Sequence, residues 1–373
     1  MAPQIAIISS TRPIPERTYL DHAATTPLRP EAKAAMEEGF RQWANPSSPH
    51  AEGRRARALL EDARARIKAA LGWEGEVIFT SGASEALAIG LGRAKADRRV
   101  ASAVEHDAVF RAAPDAEVLP VVTDPESIAW GALDGNALSD ALARPGRAVV
   151  AVQSINSETG GSPLRVVDYS ALSMIRDAGA ISVCDCSQSA GKEPLPDADM
   201  IVVSAHKLGG PIGAGALLLR DYALLEPSGG QERGYRAGTE NLPAILGFVA
   251  ALETGGTDTW ATRVEHRADF KNRLFEGGEL IAPGGNCGNI FAAACRELTA
   301  NAALVRLDAM GFAVSAGSAC SSGTLKPSRT LAAYGIDSEV AKRTIRVSLG
   351  WSTTPAELAA FADAWRALNE GQA

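Results

Sequence analysis

A chain of 373 residues is longer than one hydrophobic core usually serves, so two domains are expected. Hydrophobic residues make up 46% and charged residues 22%, the balance of a globular enzyme, and a net charge of -7 gives no overall attraction for nucleic acid or an anionic membrane. The opening segment, MAPQIAIISSTRPIPERTYL, lacks the basic region, apolar run and cleavage site of a secretory signal, and no long apolar stretch follows. The expectation is a cytoplasmic protein with no membrane attachment and no direct nucleic-acid binding.

Residues 51–71 are rich in Ala, Leu, Arg and Glu and predict a long surface helix stopped at Gly72. Residues 76–80 predict a short buried strand, with Ser81-Gly82-Ala83-Ser84 as the turn into a helix. Apolar runs at 147–152, 180–184 and 200–203 each follow a stretch of helical composition. That alternation predicts an α/β fold with a mainly parallel sheet, in which active groups gather at the carboxyl ends of the strands. After Asn241-Leu242-Pro243 comes a predicted helix, AILGFVAALE, then a soft boundary at 254–257, shorter strands, a Gly/Ser-rich stretch at 315–323 and a final helix at 355–368. The expected division is an N-terminal segment, 1–18, associated with the small domain; a large domain, 19–253; and a small C-terminal α+β domain, 254–373.

Cys184, Cys186, Cys287, Cys295 and Cys320 are an odd, scattered set in a chain that needs no staples, and none of their spacings matches a zinc site, so no metal is expected. Cys184, Cys287 and Cys295 read as packing residues, while Cys186 can lie beside a ligand without reacting. Cys320 sits among small residues, SAGSACSSG, which suit a mobile, exposed nucleophile as well as an inert thiol in a tight turn.

The turn holding Ser84 joins a strand to a helix, where free amides and the helix dipole attract a phosphate; simple capping by Ser84 is the other reading. His106 follows a strand-like run and can stack on a flat ring or move protons, or serve as a hydrogen-bonded structural group. Asp185 ends one apolar strand and Lys207 lies just beyond the next, so neighbouring strands would bring them together. Lys207 can form a Schiff base with an aldehyde cofactor, or be a surface charge. Asp185 can keep the pyridine nitrogen of pyridoxal phosphate protonated, or cap a helix; Gln188 can donate to the ring-hydroxyl side. Arg346, alone in the alternating run TIRVSLG, can grip an amino-acid carboxylate or face solvent. The polar segment QERGYRAGTEN, which includes Thr239, can reach a phosphate, including one held by a second subunit.

In order along the chain, YLDHAATTP, NPSSPH, FTSGASE, Glu105-His106, INSETG, DCSQSAGK, SAHKLGGPIGAG, GGQERGYRAGTEN, GSACSSG and RVSLG resemble the cysteine desulfurases of the class V aminotransferase group. The resemblance implies the fold type I, aspartate-aminotransferase-like architecture of pyridoxal 5′-phosphate enzymes, a homodimer with two sites at the subunit interface, and L-cysteine as substrate. It implies that Lys207 holds the cofactor, Asp185 pairs with its ring nitrogen, His106 stacks on the ring, and Gln188 and Ser157 contact the ring hydroxyl. Ser84, Ser204 and His206 would hold the phosphate, with Thr239 reaching the neighbouring subunit's phosphate. Cys320 would accept sulfur, and Arg346 with Asn156 would bind substrate.

The GSACSSG loop resembles the branch with a longer, flexible cysteine loop. The sulfur would go to a protein acceptor such as an iron–sulfur scaffold, or into tRNA thiolation. The chain departs from the family at Ala86-Leu87-Ala88, where polar residues are common, at Ser157, where a second Asn is common, and in a short C-terminal tail. A selenocysteine lyase, a cysteine or cystine lyase, and a noncatalytic sulfur-pathway partner are the alternative expectations.

Overall fold

The computed structural model describes residues 17–164, 171–316 and 328–371. Strand β1 (Thr18–Tyr19) opens the described chain. A seven-stranded sheet follows, from β2 (Glu76–Thr80), β3 (Arg98–Ser102), β4 (Glu117–Leu119), β5 (Ala148–Ala151), β6 (Ile181–Asp185), β7 (Met200–Ser204) and β8 (Gly215–Leu219), in the order β2-β8-β7-β6-β5-β3-β4. Only β8 runs antiparallel to its neighbours, so the expected mainly parallel sheet is present with one reversed strand inserted.

The central strands are uninterrupted apolar runs because both of their faces are buried. With a side-chain period of two, Ile201, Val203, Ala216 and Leu218 pack into one core, while Met200, Val202, Leu217 and Leu219 pack into the core on the other face. Each such aliphatic side chain contributes about 1.5–3 kcal/mol on burial. The helix Ala51–Leu71 lays Ala56, Leu60, Ala63 and Ile67 against the first of these cores. It starts where the His50 side chain accepts from Gly53 N and stops at Gly72, whose φ of 61° disfavours other residues.

The C-terminal part has its own core and a three-stranded antiparallel sheet, β9 (Glu279–Ile281), β10 (Ile290–Ala294) and β12 (Thr344–Ser348) in the order β12-β10-β9, while β11 (Phe312–Ala313) pairs with β1. The chain before the large sheet is thereby stitched to the C-terminal part, a link repeated by a bridge between Asp21 and Ser348. In β12, Ile345 and Val347 face the C-terminal core, so alternation turns Arg346 the other way, toward the carboxyl ends of the large sheet.

Candidate active site

A cavity of about 820 Å³ lies at those strand ends, within the size range of small-molecule sites. Ser84, His106, Asn156, Ser157, Asp185, Gln188, Ser204, His206, Lys207 and Arg346 all line it. Thr239 is exposed and does not line this cavity, and Cys320 lies outside the described residues.

Asp185 closes β6 and Lys207 follows β7 by one short turn; the two strands are parallel neighbours, with Asp185 paired to Val202. Burial lowers the Lys207 amine to about 8, the charges of Arg346 and Lys192 push it the same way, and Asp185 and Asp21 pull it back. Its Nζ donates to the carbonyls of Ala23 at 2.5 Å and Ala24 at 2.8 Å, both from the YLDHAATTP segment. Asp185 accepts at Oδ1 from Ser187 N, 2.9 Å away, in a local turn and not as a helix cap.

The turn after β2 presents backbone amides at the cavity wall. Gly82, with φ 147°, is the residue before the helix Ala83–Gly92, and capping by Ser84 is excluded because Ser84 is already inside that helix. The first helical hydrogen bond is Ala86 N to Gly82 O, leaving the amides of Ala83, Ser84 and Glu85 outside the helical ladder at the cavity wall. The carboxylate of Glu85 would oppose an anion there. It is turned instead to Arg236 at 3.1 Å and to Ser81 N. On the same cavity's wall, His206 is lowered to about 4 by burial and then by the charge of Lys207, so its imidazole is neutral beside the Thr25 hydroxyl at 3.1 Å.

His106 joins the two roles read from the sequence. Its Nδ1 accepts from Ala108 N at 3.2 Å and caps the helix Asp107–Ala112, which leaves the Nε2 edge to the cavity. Desolvation lowers its pKa, against the raising pull of Asp185.

Four of the residues singled out in the sequence have further contacts. Gln188 donates through Nε2 to Ala23 O at 3.0 Å, which leaves one amide hydrogen, and its Oε1 has no partner. Asn156 spends its oxygen on Glu158 N, Thr159 N and Thr159 Oγ1, and donates to Val104 O, so it first of all shapes the loop and only one amide hydrogen remains. Ser157 lends its backbone carbonyl to Arg346 Nη1 at 3.0 Å. Cys186 faces the core with Cys184, the sulfurs 3.7 Å apart, because residues two apart at the strand end share a face; it does not line the cavity.

Three wall groups carried no sequence signal of their own. Asp21 holds Arg346 Nη2 at 2.8 Å across 325 residues of chain. Arg329 reaches in from the C-terminal part. Burial raises the Glu105 carboxyl to about 8, so it carries a proton at neutral pH. Asp21 and Glu105 stand inside family-like motifs, but motif membership alone gave neither of them a role.

Buried polar atoms without partners are costly, and Arg346 Nε, Gln188 Oε1, Ser187 Oγ and Glu105 Oε2 all belong to residues of this wall. A ligand with an anionic end, a polar ring and a carboxylate-bearing adduct matches them: helix amides and hydroxyls for a phosphate, Asp185 for a ring nitrogen, Gln188 for a ring hydroxyl, Arg346 for a carboxylate. The donor set therefore fits pyridoxal phosphate. Among the described residues no group of His, Cys, Asp and Glu could hold a metal ion, and no helix is long and apolar enough to cross a membrane.

The family model described as aminotransferase class-V matches residues 18–361. The chain is 36% identical over 376 residues to a cysteine desulfurase of Cereibacter sphaeroides, covering 92% of this chain and 93% of that one. It is 38% identical over 386 residues to a cysteine desulfurase of a Frankia species, covering 92% and 89%. The structure of a NifS-like protein from Rickettsia africae superposes with a TM-score of 0.80 at 27% identity, covering 95% of this chain and 99% of that one.

Proposed function

The chain belongs to the cysteine desulfurase family within the class V aminotransferases, and from that premise we propose that its cavity holds pyridoxal 5′-phosphate, binds L-cysteine and passes its sulfur to Cys320. The products are L-alanine and a protein persulfide. One observation carries this reading: parallel pairing of β6 and β7 puts Asp185 and Lys207 on the wall of one cavity, with Arg346 on the same wall.

Pyridoxal phosphate, when bound, supplies an electron sink for charge developing at the α carbon of an attached amino acid. Asp185 keeps that sink effective by holding the ring nitrogen protonated. Asp21 and the Ser157 carbonyl fix the plane of Arg346, so its guanidinium would meet the substrate carboxylate in a set orientation. Lys207, its amine lowered to about 8, would take a proton from the α carbon and return one later, while His106, which lines the cavity with Nδ1 committed to Ala108 N, would serve a second proton at Nε2. The Cys320 thiolate attacks the substrate sulfur; the bond between that sulfur and the β carbon breaks, its electron pair stays with the carbon skeleton, and a proton completes alanine.

The fold class is that of pyridoxal-phosphate-dependent enzymes, and the finer assignments rest on these residues. A homodimer is part of the proposal: exposed Thr239, off its own chain's cavity, suits contact with the phosphate of a second subunit. Delivery of the sulfur to a protein acceptor such as an iron–sulfur scaffold is part of the same proposal and rests on the family.

The test is direct. Purified protein should show the visible band of bound pyridoxal phosphate and convert cysteine to equal amounts of alanine and transferable sulfur; a colourless protein, or pyruvate in place of alanine, contradicts the assignment. Arg346→Ala should raise KM for cysteine by roughly 10- to 100-fold while kcat falls much less, since a charge-assisted pair to the carboxylate is lost. Steady-state kinetics at varied cysteine concentrations checks it.

A further inference from the structure

Arg329 begins the short helix Arg329–Ala333 in the C-terminal part of the chain, yet its side chain lines the cavity of the large sheet. Its Nη1 donates to the carbonyl of Ala103 and its Nη2 to the carbonyl of Glu105. The same Nη2 is 3.4 Å from Asp107 Oδ1, and Cζ stands 4.1 Å from the centroid of the Phe110 ring. Two of these partners precede His106 in the chain and two follow it.

The segment so gripped is the turn between β3 and the helix Asp107–Ala112. β3 ends at Ser102, and the sheet reaches only one residue further, where Ala103 N donates to Leu119 O; the Val104 carbonyl accepts from Gln153 and Asn156, and the carbonyls on either side of it are the two that Arg329 holds, the second of them directly before His106. The bond from Ala108 N sets the ring's tautomer and tilt relative to its own helix, but moves with the turn. A guanidinium suits the work of holding the turn itself, since its planar fork bridges two carbonyls and still presents a face to an aromatic ring, which a lysine ammonium cannot do.

The base of the clamp is itself anchored. Ser328 Oγ donates to Glu158 Oε2 at 2.6 Å and accepts from Leu331 N at 3.0 Å, so the helix carrying Arg329 is tied to the loop whose Ser157 carbonyl orients Arg346. The Arg329 side chain is 44% exposed, so its ion pair with Asp107 is screened and adds little to overall stability. Its consequence is local geometry.

We propose that Arg329 is a positioning residue for the reaction: by gripping both flanks of His106 it fixes the imidazole at the cavity wall, so that the C-terminal part of the molecule sets the geometry of a group carried by the large sheet. This rests on the reading that the cavity takes pyridoxal phosphate. It adds a residue to which none of the sequence motifs gave a role.

The experiment uses the holoenzyme of the parent, Arg329→Gln, Arg329→Lys, His106→Ala and the double variant Arg329→Gln/His106→Ala. Arg329→Gln should lower kcat by roughly 10-fold with KM for cysteine within about twofold of the parent, the pattern of lost orientation and not lost binding. It should weaken the visible circular dichroism of the cofactor in the same direction as His106→Ala. Added to His106→Ala it should cause no further loss, because both act through one ring. Arg329→Lys should resemble Arg329→Gln more than the parent.

A second arm needs no cofactor: amide hydrogen exchange over residues 103–110 of the apoprotein should quicken in Arg329→Gln. Losses that add in the double variant, or parental dichroism and exchange with only a lowered melting temperature, overturn the clamp. A parent that holds no pyridoxal phosphate sinks the cofactor reading instead, and the exchange arm still decides the clamp.

Discussion

Lys207→Ala is expected to fold, to lose the covalent attachment of pyridoxal phosphate, and to release alanine from cysteine at least roughly 10³-fold more slowly than the parent. The loss combines the attachment with proton transfer at the α carbon, a contribution of about 10²–10⁴ by itself. Folding should survive because the native environment disfavours the charged amine: burial first, then Arg346 and Lys192, lower its pKa from 10.5 to about 8.

The pH dependence follows from that direction. Below about 8 the amine is protonated in both folded and unfolded chains, and the full cost of burying the charge stands. Between about 8 and 10.5 the unfolded chain holds a proton that the native state has lost, so the cost is relieved as pH rises. The variant apoprotein should therefore melt above the parent apoprotein below pH 8, and the gap should shrink at higher pH, as thermal denaturation across pH would show. Reloading of parent apoprotein with pyridoxal phosphate should speed up through the same pH, since only the neutral amine attacks the aldehyde.

Cys320→Ala should separate the cofactor from the sulfur transfer. The visible band should match the parent, while persulfide formation from cysteine falls by at least about 100-fold, because the nucleophile is gone and nothing replaces it. The other thiols are poorly suited. Cys184 and Cys186 are buried in the core against each other, and that contact together with burial raises Cys184. Burial pushes Cys287 up, and Cys295 up to about 11. A Cys320→Ala protein that still loaded and delivered sulfur at the parental rate would move the acceptor elsewhere. Labelling with a thiol-reactive probe before and after exposure to cysteine reads this outcome.

What could be read from the sequence follows from how local each determinant is. The runs at 76–80, 181–185 and 200–204 are strands buried on both faces, whose apolar character shows without knowledge of their neighbours. The helix Ala51–Leu71 carries its own stop in Gly72. From these alone, Asp185 and Lys207 could be placed at adjacent strand ends.

Long-range pairing was invisible. The reversed β8 depends on which strands it meets, and the union of Asp21 with Arg346 joins residues 325 apart. The reach of Arg329 to Ala103 and Glu105 is of the same kind. Side-chain direction was hidden as well: the phase of the strand end turns Cys186 into the core, and Gln188 spends one amide hydrogen on Ala23. The substrate-binding role of Asn156 came from the resemblance alone, and its bonds to Glu158 and Thr159 gave no periodic signal.

The whole reaction turns on pyridoxal phosphate being held in this cavity through Lys207. Borohydride reduction of the purified protein, followed by peptide mapping with mass spectrometry, reads the attachment site. The cofactor should be fixed on Lys207 in nearly all molecules. Attachment at the other buried lysine of low pKa, Lys192, or no attachment in a protein that still turns over cysteine, would contradict it.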